Sequence, residues 1–360
     1  MCNKHSNKTF LIVLTTTVKK TLLLFVFLFF AFYAQSQTGG QTVFNSLTIP
    51  TSARAAAMGG ALPTIRDGDL SLALFNPALL DSLSHQKASL SYVNYFSDVN
   101  LGYAAYAHHL DSSSITLSGA IQYVDYGQFT ERDASGLEIG SFNAGDYALV
   151  IGAAMPVDSL FTIGVNIKGI YSSLANYDAW GLAIDAGATY YNPEKKFSAS
   201  LVVQNLGYQI NGYRDNMRDT LPVNLQFAIA KQLKHAPFRF SLVFDQLQQW
   251  DLTDGQEPVT IVDPITGDVI SEGNSQFGDK LMRHVIFGTE VLLGDNFSVS
   301  VGYNYRRRQE LKLEDRPGTA GLSWGLGAKI NKFSIAYGRA VYHLAGPSNH
   351  FTVTTRISDW

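Results

Sequence analysis

From about residue 87 onward, apolar and polar residues of this chain alternate with a period of two. Phe161, Ile163, Val165 and Ile167 interleave with Thr162, Gly164, Asn166 and Lys168. Phe238, Phe240, Leu242 and Phe244 interleave with Arg239, Ser241, Val243 and Asp245, and Phe297, Val299, Val301, Tyr303 and Tyr305 with Ser298, Ser300, Gly302 and Asn304. This alternation predicts strands with one apolar face and one small or polar face. Fourteen such segments can be marked: 87–96, 100–110, 114–126, 145–155, 160–172, 179–191, 196–205, 222–233, 237–250, 281–292, 296–308, 319–330, 332–342 and 350–358.

The connections sort by length. After the even-numbered strands they are short (111–113, 156–159, 192–195, 234–236, 293–295 and 331), and after most odd-numbered ones long (127–144, 206–221, 251–280 and 309–318). In a transmembrane barrel, short turns face the periplasm and long loops the exterior. The expectation is a multi-pass β-barrel of the cell outer membrane, with both termini periplasmic. A soluble sandwich would alternate too, but has no reason to sort its loops. Tyr123, Tyr126, Tyr171, Trp180, Trp250, Tyr303, Tyr305 and Tyr342 are expected at the outer strand ends, and Tyr190, Tyr191, Phe197, Phe238, Phe297 and Phe333 at the inner ends, as two aromatic belts. The last strand approaches Trp360 and resembles the assembly signal of such barrels, with Trp360 one residue out of phase.

Composition adds a reason for a lipid-facing wall. Only 16% of residues are charged, whereas 46% are hydrophobic and 12% aromatic; soluble domains carry about a quarter charged residues. A formal net charge of -3 argues against a nucleic-acid partner. After Gln37 no apolar run reaches the about 18 residues of a membrane helix, so crossing must be by strands, and only a closed barrel then satisfies every backbone group. Before it, Lys19 and Lys20, the apolar run from Leu22 to Phe32, and Ala34-Gln35-Ser36 predict a signal peptide over 1–36. The one cysteine, Cys2, falls within it, which leaves the mature chain without thiol chemistry.

Residues 37–84 interrupt the picture. They are rich in small residues and glycine pairs and carry an Asn76-Pro77 stop. They are expected to form an N-terminal hatch or plug ahead of the barrel, 85–360. The glycines, alanines and serines of the strands' inner set fit a lumen crowded by that hatch.

Candidate chemistry is sparse. Gly321-Leu322-Ser323-Trp324-Gly325 matches a nucleophile elbow, but the alternation continues through it, whereas the elbow needs a sharp strand-to-helix turn. Ser84 and Lys87 match Ser-x-x-Lys without the rest of that signature. The eight histidines, His5, His85, His108, His109, His235, His284, His343 and His350, show no metal-ligand spacing. Asp251, Asp254 and Glu257 lack the spacing of a calcium loop. Arg306, Arg307 and Arg308 are placed to meet lipopolysaccharide phosphates or simply to form a solvated rim. No catalytic, cofactor or metal residue is assigned, and a hydrolase using Ser323 with His343 or His350 is the least favoured reading.

The strings GGQTVFNSLTIPTSARAAAMGG (39–60), IRDGDLSLALFNPALL (65–80), SLSYVNYFSDVNLGYAAYAHH (89–109) and KHAPFRFSL (234–242) resemble, in order, the outer-membrane family that contains PorV and PorQ, its PorQ branch in particular. That family is distantly similar to the fatty-acid transporter FadL. The resemblance implies a non-enzymatic member of the type IX secretion system of Bacteroidetes. Such a barrel anchors a PorZ-like surface protein beside a PorU-like sortase and a PorV-like barrel, in a complex that attaches cargo to lipopolysaccharide. The outer-membrane lipid is its other partner. The FadL likeness leaves open a transporter of hydrophobic small molecules.

Overall fold

The computed structural model describes residues 42–213, 218–253, 261–262, 269–271, 277–312 and 318–359. The wall strands are β1 (Lys87–Phe96), β2 (Val99–Leu110), β3 (Ile115–Arg132), β4 (Glu138–Pro156), β5 (Phe161–Leu174), β6 (Tyr177–Asn192), β7 (Phe197–Asn211), β8 (Asn224–Gln232) and β9 (Phe238–Phe244). A separate hairpin of β10 (Ile261–Val262) and β11 (Val269–Ser271) follows. The wall then resumes with β12 (Val285–Leu293), β13 (Phe297–Asn304), β14 (Leu322–Ile330), β15 (Phe333–His343) and β16 (Gly346–Arg356). Each wall strand pairs antiparallel with its neighbours, and β1 pairs with β16, so fourteen strands close the barrel.

The barrel is inside-out relative to a water-soluble protein. On β5, Phe161, Ile163, Val165 and Ile167 are exposed while Thr162, Asn166 and Lys168 are buried. The same holds around the wall: Leu90, Ile121, Leu149, Leu182, Leu201, Phe287, Val301, Leu326 and Phe351 face outward, and Ser91, Gln122, Asp185, Ser200, Glu290, Ser300, Ser323 and Thr352 face the lumen. Leaving so much apolar surface in water would forfeit about 25 cal/mol for each Å². Hydrocarbon removes that penalty, and a closed sheet leaves no unpaired edge in it. The protein is a transmembrane β-barrel of the outer-membrane type.

Differences from the sequence-based expectation cluster at the long-loop end. Residues 127–144 were expected as a loop, but β3 and β4 continue as a paired ribbon to Arg132 and Glu138. The β2–β3 pairing starts only at Asn100 with Asp125, and the β4–β5 pairing ends at Ala144 with Leu174. Apart from the Ala175 amide donating to the Asn143 carbonyl at 3.3 Å, no neighbouring strand among the described residues pairs with the ribbon. β7 likewise runs on to Asn211, which shortens the connection expected at 206–221. β9 stops at Phe244 instead of reaching residue 250, and a helix (Phe277–Arg283) occupies the approach to β12. β13 stops at Asn304, whose Oδ1 accepts from the Arg307 amide at 3.0 Å and caps a helix over Tyr305–Glu310.

These changes thin the expected outer belt. Tyr147 stacks on Tyr171 at 6.3 Å and Tyr171 meets Trp180 tilted at 4.5 Å, and Phe161, Tyr190 and Phe197 form tilted ring contacts at the opposite end. Tyr305 leaves the wall for the capping helix, and Trp250 lies beyond β9 against Phe277 and His284. Tyr126 and Tyr342 turn inward, the first to donate to Asp146 at 2.8 Å, the second beneath the Arg307 guanidinium. Residues 1–36, Cys2, Asp254, Glu257 and Trp360 lie outside the described residues.

The hatch-filled lumen as candidate functional site

Residues 42–86 contain a short helix, α1 (Ala53–Ala57), and several 3-10 turns, and they pack against the inward face of the wall. Ser52 caps α1 by accepting from the Ala55 amide, and Gly59 and Gly60, at φ 98° and 105°, let the chain leave it in a left-handed turn. Ala53, Ala55, Ala56 and Ala57 are at most 1% exposed. A helix of alanines approaches closely only if the opposing wall is bare, and it is. A Cβ added to Gly338 would strike Ala53, one on Gly325 would meet the Ala57 methyl, and one on Gly302 would strike Met58 and Gly59. The Ser323 hydroxyl donates to the Ala57 carbonyl at 2.9 Å. The elbow-like Gly-Leu-Ser-Trp-Gly run is thus the surface on which the hatch helix lands.

Farther along the hatch, Asn76 is fully buried. Its Nδ2 donates to the Pro63 carbonyl at 2.6 Å and to Thr189 Oγ1 on β6 at 2.9 Å, and its Oδ1 accepts from the Ala78 amide at 2.9 Å. A Cβ on Gly164 would lie 2.5 Å from Pro77, and one on Gly187 would strike Asn76. Apolar contacts complete the seal. Leu70, Leu74 and Leu80 pack on Tyr103, Ala120 and Val150, and Val43 and Phe44 pack on Ile170, Ala179 and Ala183.

One charged cluster ties the hatch to two strands. Arg54 Nη2 lies 2.7 Å from Asp67 Oδ2, its Nη1 3.2 Å from Asp69 Oδ2, and its Nε 2.7 Å from Glu290 Oε1 on β12. Arg239 on β9 reaches the same Glu290 at 2.6 Å and Asp67 at 3.1 Å. Burial disfavours charge on Asp67, yet Arg54 and Arg239 outweigh it and hold its carboxyl well below the usual carboxylate range. A second buried pair, Lys168 Nζ with Asp185 Oδ2 at 2.8 Å, lies within the wall.

Thr42 bridges Thr220, just ahead of β8 on the long-loop side, whereas β16 ends with Arg356 on the short-turn side. The described chain begins toward the long-loop mouth and ends toward the short-turn mouth, because the hatch threads the lumen before β1 begins. Residues 37–41 lie outside the described residues.

The remaining candidates are placed plainly. Ser84 Oγ donates to Asp81 at 3.4 Å and Lys87 Nζ to the Gly68 carbonyl at 2.6 Å, so the Ser-x-x-Lys pair is engaged elsewhere. His350 Nε2 bonds with Ser348 at 2.8 Å and His343 stacks on Phe96. Among the described residues no group of His, Cys, Asp or Glu is arranged to hold a metal ion. Asp251 pairs with Lys280 at 2.7 Å. Arg306 pairs with Asp245 at 3.5 Å and with Glu310, and Arg308 donates to the Gly318 carbonyl. The sequence did not single out the Arg54, Asp67, Arg239 and Glu290 cluster; its one trace was a charge at an inward position on each of β9 and β12.

No protein-family model and no curated protein matches the chain. Among solved structures it is similar to a mutant of the TodX monoaromatic hydrocarbon channel, at 14% identity and a TM-score of 0.49 over 85% of this chain and 97% of that one. It is also similar to the CymD monoaromatic hydrocarbon channel (14%, 0.47, 87% and 97%). A FadL homologue of Pseudomonas aeruginosa gives 10% and 0.47 over 85% and 98%. At these values the likeness assigns no ligand, transport activity or partner to this chain.

Proposed function

We propose that the protein is a plugged, non-enzymatic outer-membrane barrel that anchors a surface protein through its long-loop end. The observation that carries this reading is the filled lumen: the hatch meets the wall at glycines with no room for a side chain and is held by the ion pair of Arg54 with the buried Glu290. A barrel so occupied offers its projecting segments for interaction, foremost the free-standing β3–β4 ribbon with exposed Phe129, Leu137 and Ile139. Exposed connections on a rigid scaffold are where such partners dock. The identity of the partner rests on the sequence resemblance alone. It would be a PorZ-like protein, with a PorU-like sortase and a PorV-like barrel in the same type IX attachment complex, and with lipopolysaccharide as the acceptor of cargo.

The second reading is a FadL-like transporter of hydrophobic small molecules, and the architecture itself, a barrel with an N-terminal segment in its lumen, favours it. It requires the hatch to move and open an apolar path, whereas the recess between the hatch and the wall is lined by Arg54, Arg239, Asp67, Asp69 and Glu290. Gentle solubilisation of outer membranes from cells carrying the tagged mature chain, followed by mass spectrometry, separates the two. Recovery of a PorZ-like protein supports the anchor. Recovery of the barrel alone with bound fatty acid or hydrocarbon supports the transporter.

A further inference from the structure

An arginine grips the hatch toward each mouth of the barrel, and the two grips differ in kind. Toward the short-turn mouth Arg54, on the hatch itself, meets Asp67, Asp69 and Glu290, so carboxylates match its guanidinium. Toward the long-loop mouth the grip comes from beyond the wall. β13 ends at Asn304, whose Nδ2 donates to the Gly59 carbonyl at 3.2 Å while its Oδ1 caps the helix Tyr305–Glu310. That helix points Arg307 inward, with its guanidinium carbon 3.8 Å from the centroid of the Tyr342 ring on β15. The two side chains close over Gly60, where an added Cβ would lie 2.6 Å from Arg307 Nη2 and 3.1 Å from the Tyr342 hydroxyl.

Arg307 makes no ion pair among the described residues, whereas its neighbour Arg306 meets both Asp245 and Glu310, and Arg307 Nη1 is buried without a hydrogen bond. A ring face attracts a cation, but it does not replace the hydrogen bonds that a guanidinium makes in water. Withdrawing Arg307 toward solvent therefore restores hydration to that N–H. Withdrawing Arg54 would instead leave the buried Glu290 with one cation in place of two. The helix that carries Arg307 lies outside the closed sheet and is tied to the helix Phe277–Arg283 by the Tyr305 hydroxyl, which donates to Asp279 at 2.8 Å. A displacement at the long-loop surface thus has a covalent route to the hatch turn.

We propose that Arg307 is a releasable latch on the hatch. With its guanidinium on Tyr342 the Gly59–Gly60 turn is shut against the wall; when the helix Tyr305–Glu310 moves, the hatch loosens at the long-loop mouth and stays hinged at Arg54. The latch is independent of the anchoring reading, because it is a property of the barrel alone.

The chain beyond Cys2 has no cysteine, so single thiols report on the hatch. Ala61→Cys, next to the latched turn, and Ser84→Cys, near the hinge, both replace buried residues. The measurement is their rate of modification by a water-soluble maleimide in the full mature barrel in detergent, with heat-modifiable gel mobility as the check that each barrel is folded. Arg307→Met and Tyr342→Leu should each speed labelling at position 61 by about tenfold or more. The double variant should be no faster than the quicker single, because both break one contact. Labelling at position 84 should not change, nor should Arg308→Met, on the same helix but bonded to the Gly318 carbonyl, have any effect. If Arg307→Met fails to fold, Tyr342→Leu carries the test. Unchanged labelling at position 61, an equal rise with Arg308→Met, additive effects in the double variant, or an equal rise at position 84 would each overturn the proposal.

Discussion

Gly338, Gly302 and Gly164 show how one missing methyl can decide the contents of a barrel. Each faces inward on a strand and touches hatch backbone or the hatch's Pro77. Replacing Gly302 with Val should therefore overpack the contact by about 1–3 kcal/mol. The wall has no reason to fail, so the expected outcome is a folded barrel with a loosened hatch, read as new protease cleavage within residues 42–86. Arg54 supplies the complementary case. Arg54→Ala leaves the buried Glu290 with Arg239 alone, and removing one partner of a buried pair costs up to about 3–5 kcal/mol. A lower urea midpoint in micelles would register that loss. An unchanged midpoint would mean that the cluster does not hold the hatch.

The hatch's Asp67 also gives the sign of a pH effect. Its folded-state carboxyl lies below the ordinary value, so its stabilising contribution is present above about 3.9 and is lost as pH falls through the lowered value. Conductance in planar bilayers should remain low at pH 7 and 5, with any opening confined to more acidic solution.

At the scale of elements, the wall was largely legible from the chain. The segments 87–96, 160–172 and 332–342 match β1, β5 and β15 to within two residues, because a strand between lipid and lumen must alternate at every step. Legibility failed where the chain leaves the membrane. There neither face is constrained by hydrocarbon, so the ribbon beyond Asp125 looked like a loop and the helix at Tyr305–Glu310 looked like a strand. The ribbon is the element to remove. Replacing 128–141 by Asn-Gly should leave heat-modifiable folding intact, because neighbouring strands do not pair with it, yet should abolish co-purification of the surface partner. Continued recovery of that partner would move the docking surface to the other long connections.

For the whole molecule, the hatch governs what the barrel can do. Its helix, its Asn76 anchor and its charged cluster contact β6, β9 and β12 to β16 as well as one another. Deleting 42–84 should convert a quiet barrel into a conducting one in planar bilayers, with channel steps absent from the intact protein. Quiet behaviour of the truncated barrel would mean that the wall alone closes the path, and would weaken both functional readings that rely on the hatch.

The sequence by itself determined the strand count, the sidedness of most wall residues and the membrane-spanning character that follows from them. These are local properties, set residue by residue by whether a side chain meets hydrocarbon or a crowded lumen. The tertiary structure alone decided how the hatch threads the lumen, which glycines it meets and where charge is buried. The Arg54–Glu290 bond joins residues 236 positions apart, and the Ser323–Ala57 bond joins residues 266 apart. No periodicity along the chain encodes such pairs, because they exist only once the wall has closed around the hatch.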